Sequence, residues 1–211
     1  MGRRWPVGSA TGAGPRPWVR AAVVVTGTVV VSAAAVGGGL WLTGDDPDQP
    51  HGGDAHTSAP PCGVVPEDAV ARALPGAVLE TDTGGPLAGG EGTACVWTTA
   101  GLDTDPQGVL RVDLSARFTD ASAEPVVTGD EAAARAQEDV VPQRGRPVEL
   151  GSGGRAEVWR GQVPGTAELA FHHDNLLVRV SYSAVEEDDP VPFDRARETV
   201  VGFAEQLGEV L

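Results

Sequence analysis

The feature that most constrains this chain is an uncharged, mostly apolar segment at residues 21–42. As a helix rising about 1.5 Å per residue, these 22 residues would span about 33 Å, enough to cross a bilayer. Trp18 and Trp41 lie at its two ends, where amphipathic rings favour the membrane interface, and arginines are the only charged residues before it. The pattern predicts a single-pass membrane protein, with a basic tail at residues 1–20 in the cytoplasm and the rest of the chain outside.

A cleaved signal peptide is the alternative interpretation of this segment. Residues 21–31 have the length of its apolar core, and the alanines at 33–35 offer a small-residue cleavage site. The apolar run continues beyond that site to Leu42, which favours retention as an anchor. Cleavage would instead give a secreted protein.

Charge changes sign where this segment ends. All 15 basic residues are arginines, and four of them precede Asp45. The other 11 follow it, and all 30 acids lie at or after Asp45, so residues 45–211 carry 11 − 30 = −19. Such a surface repels phosphate backbones and anionic headgroups, which disfavours nucleic-acid binding. It favours a basic protein partner, and a small-molecule partner stays open.

Residues 43–61 are rich in Asp, Gly and Pro and have almost no apolar side chains. Because this composition cannot bury enough surface to fold, it predicts a disordered linker. His51 and His56 lie within the linker, and we expect them to be unstructured polar residues instead of metal ligands.

Residues 62–211 have the pattern of one folded domain. A short helix begins after Pro66 and ends before Pro75. After a glycine-rich loop, residues 94–99 predict a strand, and residues 110–118 alternate apolar and polar side chains as in a half-buried strand. The polar face of this strand is expected to be open to water.

The second half of the domain is specified more closely. Thr128 and Glu131 fit a capping box that begins a surface helix ending near Val141. A two-residue turn at Asp174 and Asn175 sets a hairpin register with three pairs on one face: Phe171 with Val178, Leu169 with Val180, and Ala167 with Tyr182. Apolar residues at spacings of three and four predict a terminal amphipathic helix: Phe193, Ala196, Val200, Phe203, Leu207 and Val210. The predicted class is α+β, with an antiparallel sheet and this helix packed on one face.

Two cysteines, Cys62 and Cys95, are the only ones in the chain. In an oxidising compartment an even count predicts a disulfide between them, closing a loop that would stabilise the domain by about 3–4 kcal/mol. A reactive thiol pair is the alternative, but the spacing is not Cys-x-x-Cys.

A resemblance to a known family lies in these residues. It rests on Cys62-Gly-Val-Val-Pro-Glu-Asp-Ala-Val, Cys95-Val-Trp97, the glycine-rich turn at 151–154, the paired strands and the terminal helix. The pattern resembles an uncharacterised actinobacterial family of envelope lipoproteins with a Cys … Cys-x-Trp signature and, more distantly, extracellular sensor domains of actinobacterial receptor kinases. The resemblance implies an α+β envelope domain with a disulfide and no assigned activity. The chain departs from the family because Ala59-Pro60-Pro61 replaces the lipobox, which leaves the helix as anchor.

No motif predicts a catalytic or cofactor site. The residue types at 151–156 match the sequence pattern of a dinucleotide-binding site. However, residues 157–159 continue as a strand where that site needs a helix, so we predict a tight turn. The acidic run at 186–189 lacks the spaced ligands of a calcium loop, and we expect a solvated loop.

Four residues are candidates for ligand contact. His172 and His173 adjoin the predicted hairpin turn on opposite faces of one strand, so they are not expected to converge on one metal. Arg111 and Arg179 lie on the predicted polar face. The sequence favours a non-enzymatic, membrane-anchored binding or sensor module outside the cytoplasm. The alternatives are a hydrolase whose site assembles only in three dimensions and a structural accessory of an envelope complex.

Overall fold

The computed structural model describes residues 49–102, 106–151 and 154–211. A 3-10 turn at Cys62–Val64 precedes three helices: α1 (Glu67–Ala73), α2 (Gly129–Val140) and α3 (Phe193–Gly208). Eight strands complete the domain: β1 (Val78–Leu87), β2 (Gly90–Thr98), β3 (Gln107–Arg117), β4 (Arg146–Glu149), β5 (Arg155–Arg160), β6 (Thr166–His173), β7 (Leu176–Glu186) and β8 (Asp189–Pro190).

The strands form one antiparallel sheet in the order β1-β2-β3-β7-β6-β5-β4, and β8 pairs with the end of β7. The α+β class with an antiparallel sheet is therefore confirmed. The predicted hairpin register is confirmed as well, since β6 and β7 pair Phe171 with Val178, Leu169 with Val180 and Ala167 with Tyr182. Asp174 takes the left-handed conformation, with φ 50°, that a two-residue turn requires.

One face of the sheet carries the hydrophobic core. The alternation in β3 buries every second side chain: Leu110, Val112, Leu114 and Ala116. Helix α3 packs on this face against β5, β6 and β7 through the predicted stripe: Ala196, Val200, Phe203 and Leu207. Val210 was wrongly placed in that stripe, because it lies beyond the helix end and is half-exposed.

The opposite face is polar, but it is not wholly open to water. Helix α2 begins at the predicted capping box, with the Thr128 side chain accepting from the Glu131 backbone N–H. Its Gln137 side chain is buried and donates to both the Arg155 carbonyl and the Glu157 carboxylate of β5. The helix therefore covers part of the face that was expected to be exposed.

The disulfide between Cys62 and Cys95 is present, with Cα atoms 5.6 Å apart. Both cysteines are buried in the core, so the bond ties the 3-10 turn to β2. The alternative of two reactive thiols does not apply to this structure.

The glycine-rich loop predicted before residue 94 is wrong, because residues 78–87 form the edge strand β1. Most of its side chains are exposed, so burial imposes no alternation that the sequence could display. The predicted tight turn at the glycines after Leu150 is consistent with the β4–β5 connection, where the Leu150 amide donates to the Gly154 carbonyl. Residues 186–189 form the short β7–β8 turn, with Glu187 and Asp188 both at positive φ.

The described part of the predicted linker, residues 49–61, forms no helix or strand, but it contacts the folded domain. Asp54 accepts hydrogen bonds from the backbone and hydroxyl of Thr119, and Ala59 is buried. A Cβ atom on Gly129 would lie only 2.6 Å from the Asp54 carboxylate, so this approach is close. We call residues 49–61 the upstream segment. The predicted tail and membrane segment lie outside the described residues, and within those residues no helix is long and apolar enough to span a bilayer.

Candidate functional site

The two arginines predicted for ligand contact lie on the polar face, and each is already paired. Arg111 forms a bidentate pair with Asp113 on the same strand, at 2.7–3.0 Å. This pairing raises the pKa of Arg111, against the effect of its burial. Arg179 contacts the Glu168 carboxylate across the β6–β7 pair. A ligand anion would therefore have to compete with a carboxylate at either residue.

The two predicted histidines diverge, as expected from their position on one strand. The His172 Nδ1 atom lies 2.7 Å from the Gln137 side-chain oxygen under α2. His173 lies beyond the end of the sheet, where its Nδ1 atom is 3.8 Å from the Asp174 carboxylate. The two imidazoles do not share a site.

His173 does meet another histidine, which comes from the upstream segment. His56, His173 and Asp174 each offer one ligand atom, and these atoms all lie within 4.8 Å of one another. We call these three residues the histidine cluster. Partial burial lowers the pKa of His56, and His173 acts in the same direction, whereas Asp174 acts to raise it.

Asn175 holds His56 at this position by its main chain. The Asn175 side chain accepts from the His56 amide at 2.7 Å and donates to the His56 carbonyl at 2.8 Å. It also donates to the Arg117 carbonyl at 2.7 Å, and it is almost fully buried. The hairpin turn therefore fixes the backbone of residue 56 while leaving its imidazole available.

A pocket of about 540 Å³ lies at the other end of β5 and β6. We call it the arginine pocket, and its lining is Arg144, Arg146, Val158, Trp159, Arg160, Gly161, Gln162 and Phe193. Two contacts hold the guanidinium groups of the pocket in place. Arg144 donates from Nε and Nη2 to the Arg160 carbonyl at 3.2 and 3.0 Å, and the Arg160 guanidinium stacks 4.5 Å from the centre of the Phe193 ring.

The arginine pocket is cationic in a domain that is strongly acidic. No described residue of its lining is acidic, and none of its three arginines forms an ion pair with a carboxylate in the described ranges. All three arginine residues are exposed, whereas Trp159 is buried and Phe193 is half-buried. The pocket therefore combines guanidinium donors with aromatic surface.

Comparison of the chain with known protein families, with curated proteins and with solved structures gave no match. The resemblance to envelope lipoproteins and sensor domains stays a prediction. What the domain does must therefore be argued from its own geometry.

Both sites include residues that sequence reasoning missed. His56 was assigned to a disordered linker, and no local pattern pairs it with a residue 117 positions later. The arginines of the pocket did leave a signal, since Arg144-Gly-Arg146 concentrates positive charge in an acidic chain. The acidic run at 186–189 contributes to neither site; within it, Glu186 pairs with Arg195 of α3.

Proposed function

We propose that residues 49–211 act as a non-enzymatic binding module outside the cytoplasm, anchored to the membrane by residues 21–42, and that the arginine pocket binds an anionic ligand. One observation carries this proposal. Residues 49–211 carry a net charge of 11 − 27 = −16, yet three arginines without a described carboxylate partner line a pocket together with the Phe193 ring. Three of the predicted contact residues, Arg111, Arg179 and His172, are already engaged by their own neighbours.

The chemistry of the lining indicates the class of ligand. A guanidinium presents planar N–H donors that match a carboxylate or phosphate, and it is weakly hydrated enough to stack on rings. The ring of Phe193 offers apolar surface next to those donors. We therefore expect a ligand with an anionic group attached to a ring or another flat apolar part.

The net negative charge of the domain disfavours polyanionic ligands. It repels polyanions over distances up to about a Debye length, roughly 10 Å at 0.1 M salt. A ligand with a single compact anionic group can enter the pocket, whereas a nucleic acid meets like charge over most of its length. The basic protein partner expected from the sequence suits the acidic surface as a whole, whereas the pocket suits a small anion.

A direct test uses phenyl phosphate, which joins a ring to a phosphate. Binding to the full chain, purified in non-ionic detergent, would be followed by isothermal titration calorimetry. We expect Arg144→Gln and Arg160→Gln each to weaken affinity roughly tenfold, the effect of losing one charge-assisted hydrogen bond. Arg155→Gln is the matched control, because Arg155 is exposed at the opposite end of the same strand.

Equal weakening by all three substitutions would indicate a general charge effect and would contradict the proposal. So would release of inorganic phosphate from phenyl phosphate by the parent protein but not by the pocket variants, because the module would then be a hydrolase.

The location of the module is tested separately. The arginines before residue 21 and the acids that follow residue 42 support an external C-terminal domain. External protease applied to intact cells should therefore digest that domain. Protection of the domain, while a known surface protein is digested, would reverse the predicted orientation.

A further inference from the structure

We propose that the histidine cluster binds a divalent transition-metal ion of the Zn²⁺ type, and that the ion joins the upstream segment to the β6–β7 hairpin. His56, His173 and Asp174 supply two imidazole nitrogens and one carboxylate oxygen. This proposal is independent of the arginine pocket, which lies at the other end of β6.

The donor set selects the class of ion. Imidazole nitrogens suit zinc and its first-row neighbours, whereas calcium and magnesium prefer sites made entirely of oxygen. Three protein ligands leave the fourth position of a tetrahedral zinc site for water or another donor.

The geometry is close to that of a formed site. Ligand atoms around a tetrahedral zinc lie about 3.3 Å apart, given bonds of about 2.0–2.1 Å. Here all three lie within 4.8 Å of one another, and the pair from His173 and Asp174 is already at 3.8 Å. The side chains of His173 and Asp174 are 48% and 60% exposed, so small rotations can close the remaining gap.

The backbone around the cluster is fixed without the help of the ligand side chains. Asn175 bonds both main-chain groups of His56, and the turn holds Asp174 at φ 50°. The three side chains are therefore presented by a framework that does not depend on them. This separation makes substitution of each ligand a clean test, because within the described residues none of these imidazole or carboxylate groups forms a hydrogen bond with the rest of the domain.

A bound ion would fasten the upstream segment more firmly. Binding only to the state in which His56 lies beside the hairpin stabilises that state in proportion to the logarithm of metal concentration. Residues 49–61 precede the first covalent tie to the sheet, the disulfide at Cys62. Metal occupancy would thus control whether the chain before Cys62 stays fixed to the β6–β7 hairpin.

The experiment titrates the full chain with zinc chloride in competition with a chromophoric chelator. We expect one saturable site in the parent, and an affinity at least tenfold weaker in His56→Ala, His173→Ala and Asp174→Asn. Asparagine at 174 removes the charge and tolerates the left-handed backbone. His51→Ala and His172→Ala are the controls; His51 lies in the same segment, and His172 is bonded to Gln137 on the opposite face. These two should change affinity less than twofold.

Hydrogen exchange provides a second readout of the bridge. Zinc should slow amide exchange at residues 55–57 in the parent but not in His173→Ala. The proposal is overturned if the parent shows no saturable zinc site, if His56→Ala binds as tightly as the parent, or if the His51 and His172 variants lose as much affinity as the cluster variants.

Discussion

The two ends of the β5–β6 pair differ in how their polar residues come together. At the arginine pocket, Arg146, Arg160 and Phe193 project from elements of the folded domain itself. At the histidine cluster, about 20 Å away along β6, one member arrives from the upstream segment and is held by a buried asparagine. The first end offers guanidinium donors, and the second offers metal ligands. One end of this sheet therefore suits an anion and the other a cation, and only the histidine end depends on the upstream segment.

Removing the disulfide should produce the largest loss of stability. It should also speed up amide exchange more at the histidine end of the sheet than at the pocket end. Substituting Ala for both Cys62 and Cys95 is expected to lower the free energy of unfolding by about 3–4 kcal/mol, measured by urea denaturation. Because Cys62 directly follows the upstream segment, amide exchange should speed up at residues 54–59 more than at Gly161. Equal acceleration at both places would remove the distinction between the ends.

Asn175→Ala should have the next largest effect, and it acts on the histidine end alone. The substitution removes three hydrogen bonds and leaves partly buried main-chain groups at His56 and Arg117 without that partner. We expect a loss of about 2–3 kcal/mol in urea denaturation. Gln162→Ala, at an exposed residue of the arginine pocket, is the comparison and should change stability by less than about 0.5 kcal/mol. Similar losses in the two variants would contradict the role given to Asn175.

Salt should weaken ligand binding at the arginine pocket more than metal binding at the histidine cluster. The arginines of the pocket are exposed, so the affinity for phenyl phosphate should fall several-fold when sodium chloride is raised from about 0.05 to about 0.5 M. Zinc affinity at the histidine cluster should change much less, since coordination bonds act at contact distance. Calorimetry at both salt concentrations measures each effect. Parallel loss at the two ends would mean that neither site is built as described.

The smallest expected effect concerns Tyr182, which lies beneath α3 in the row of the sheet that includes Arg160. Burial raises the pKa of its phenol, Arg195 acts to lower it, and Glu186 acts to raise it. A raised pKa in the folded state means that stability is retained below the ordinary value of about 10 and falls as the pH rises beyond it. Tyr182 is the only tyrosine, so absorbance near 295 nm follows it alone. Ionisation at the ordinary value, with the domain still folded, would show that this row is open to water.

The sequence predicted the parts of the fold that local periodicity encodes. Alternation in β3, turn residues Asp174 and Asn175, and the stripe of α3 each carry their own signal, and each is observed. The edge strand β1 carries none, because exposed side chains are not constrained by burial. The candidate sites were harder to predict from the sequence. His56 lies beside His173 only because the Asn175 side chain bonds the His56 main chain in the folded structure. Arg111 and Arg179 were placed on the correct face, but nothing local revealed that Asp113 and Glu168 would pair with them.

The proposed function requires that the arginine pocket bind an anion without turnover. The most direct measurement is a ¹H–¹⁵N spectrum of the full chain titrated with phenyl phosphate. We expect progressive shifts of the Gly161 and Gln162 amides and of the pocket guanidinium signals, while the phosphate ester stays intact. Shifts confined to Arg111 and Arg179 on the polar face, or appearance of free phosphate, would contradict the proposed function.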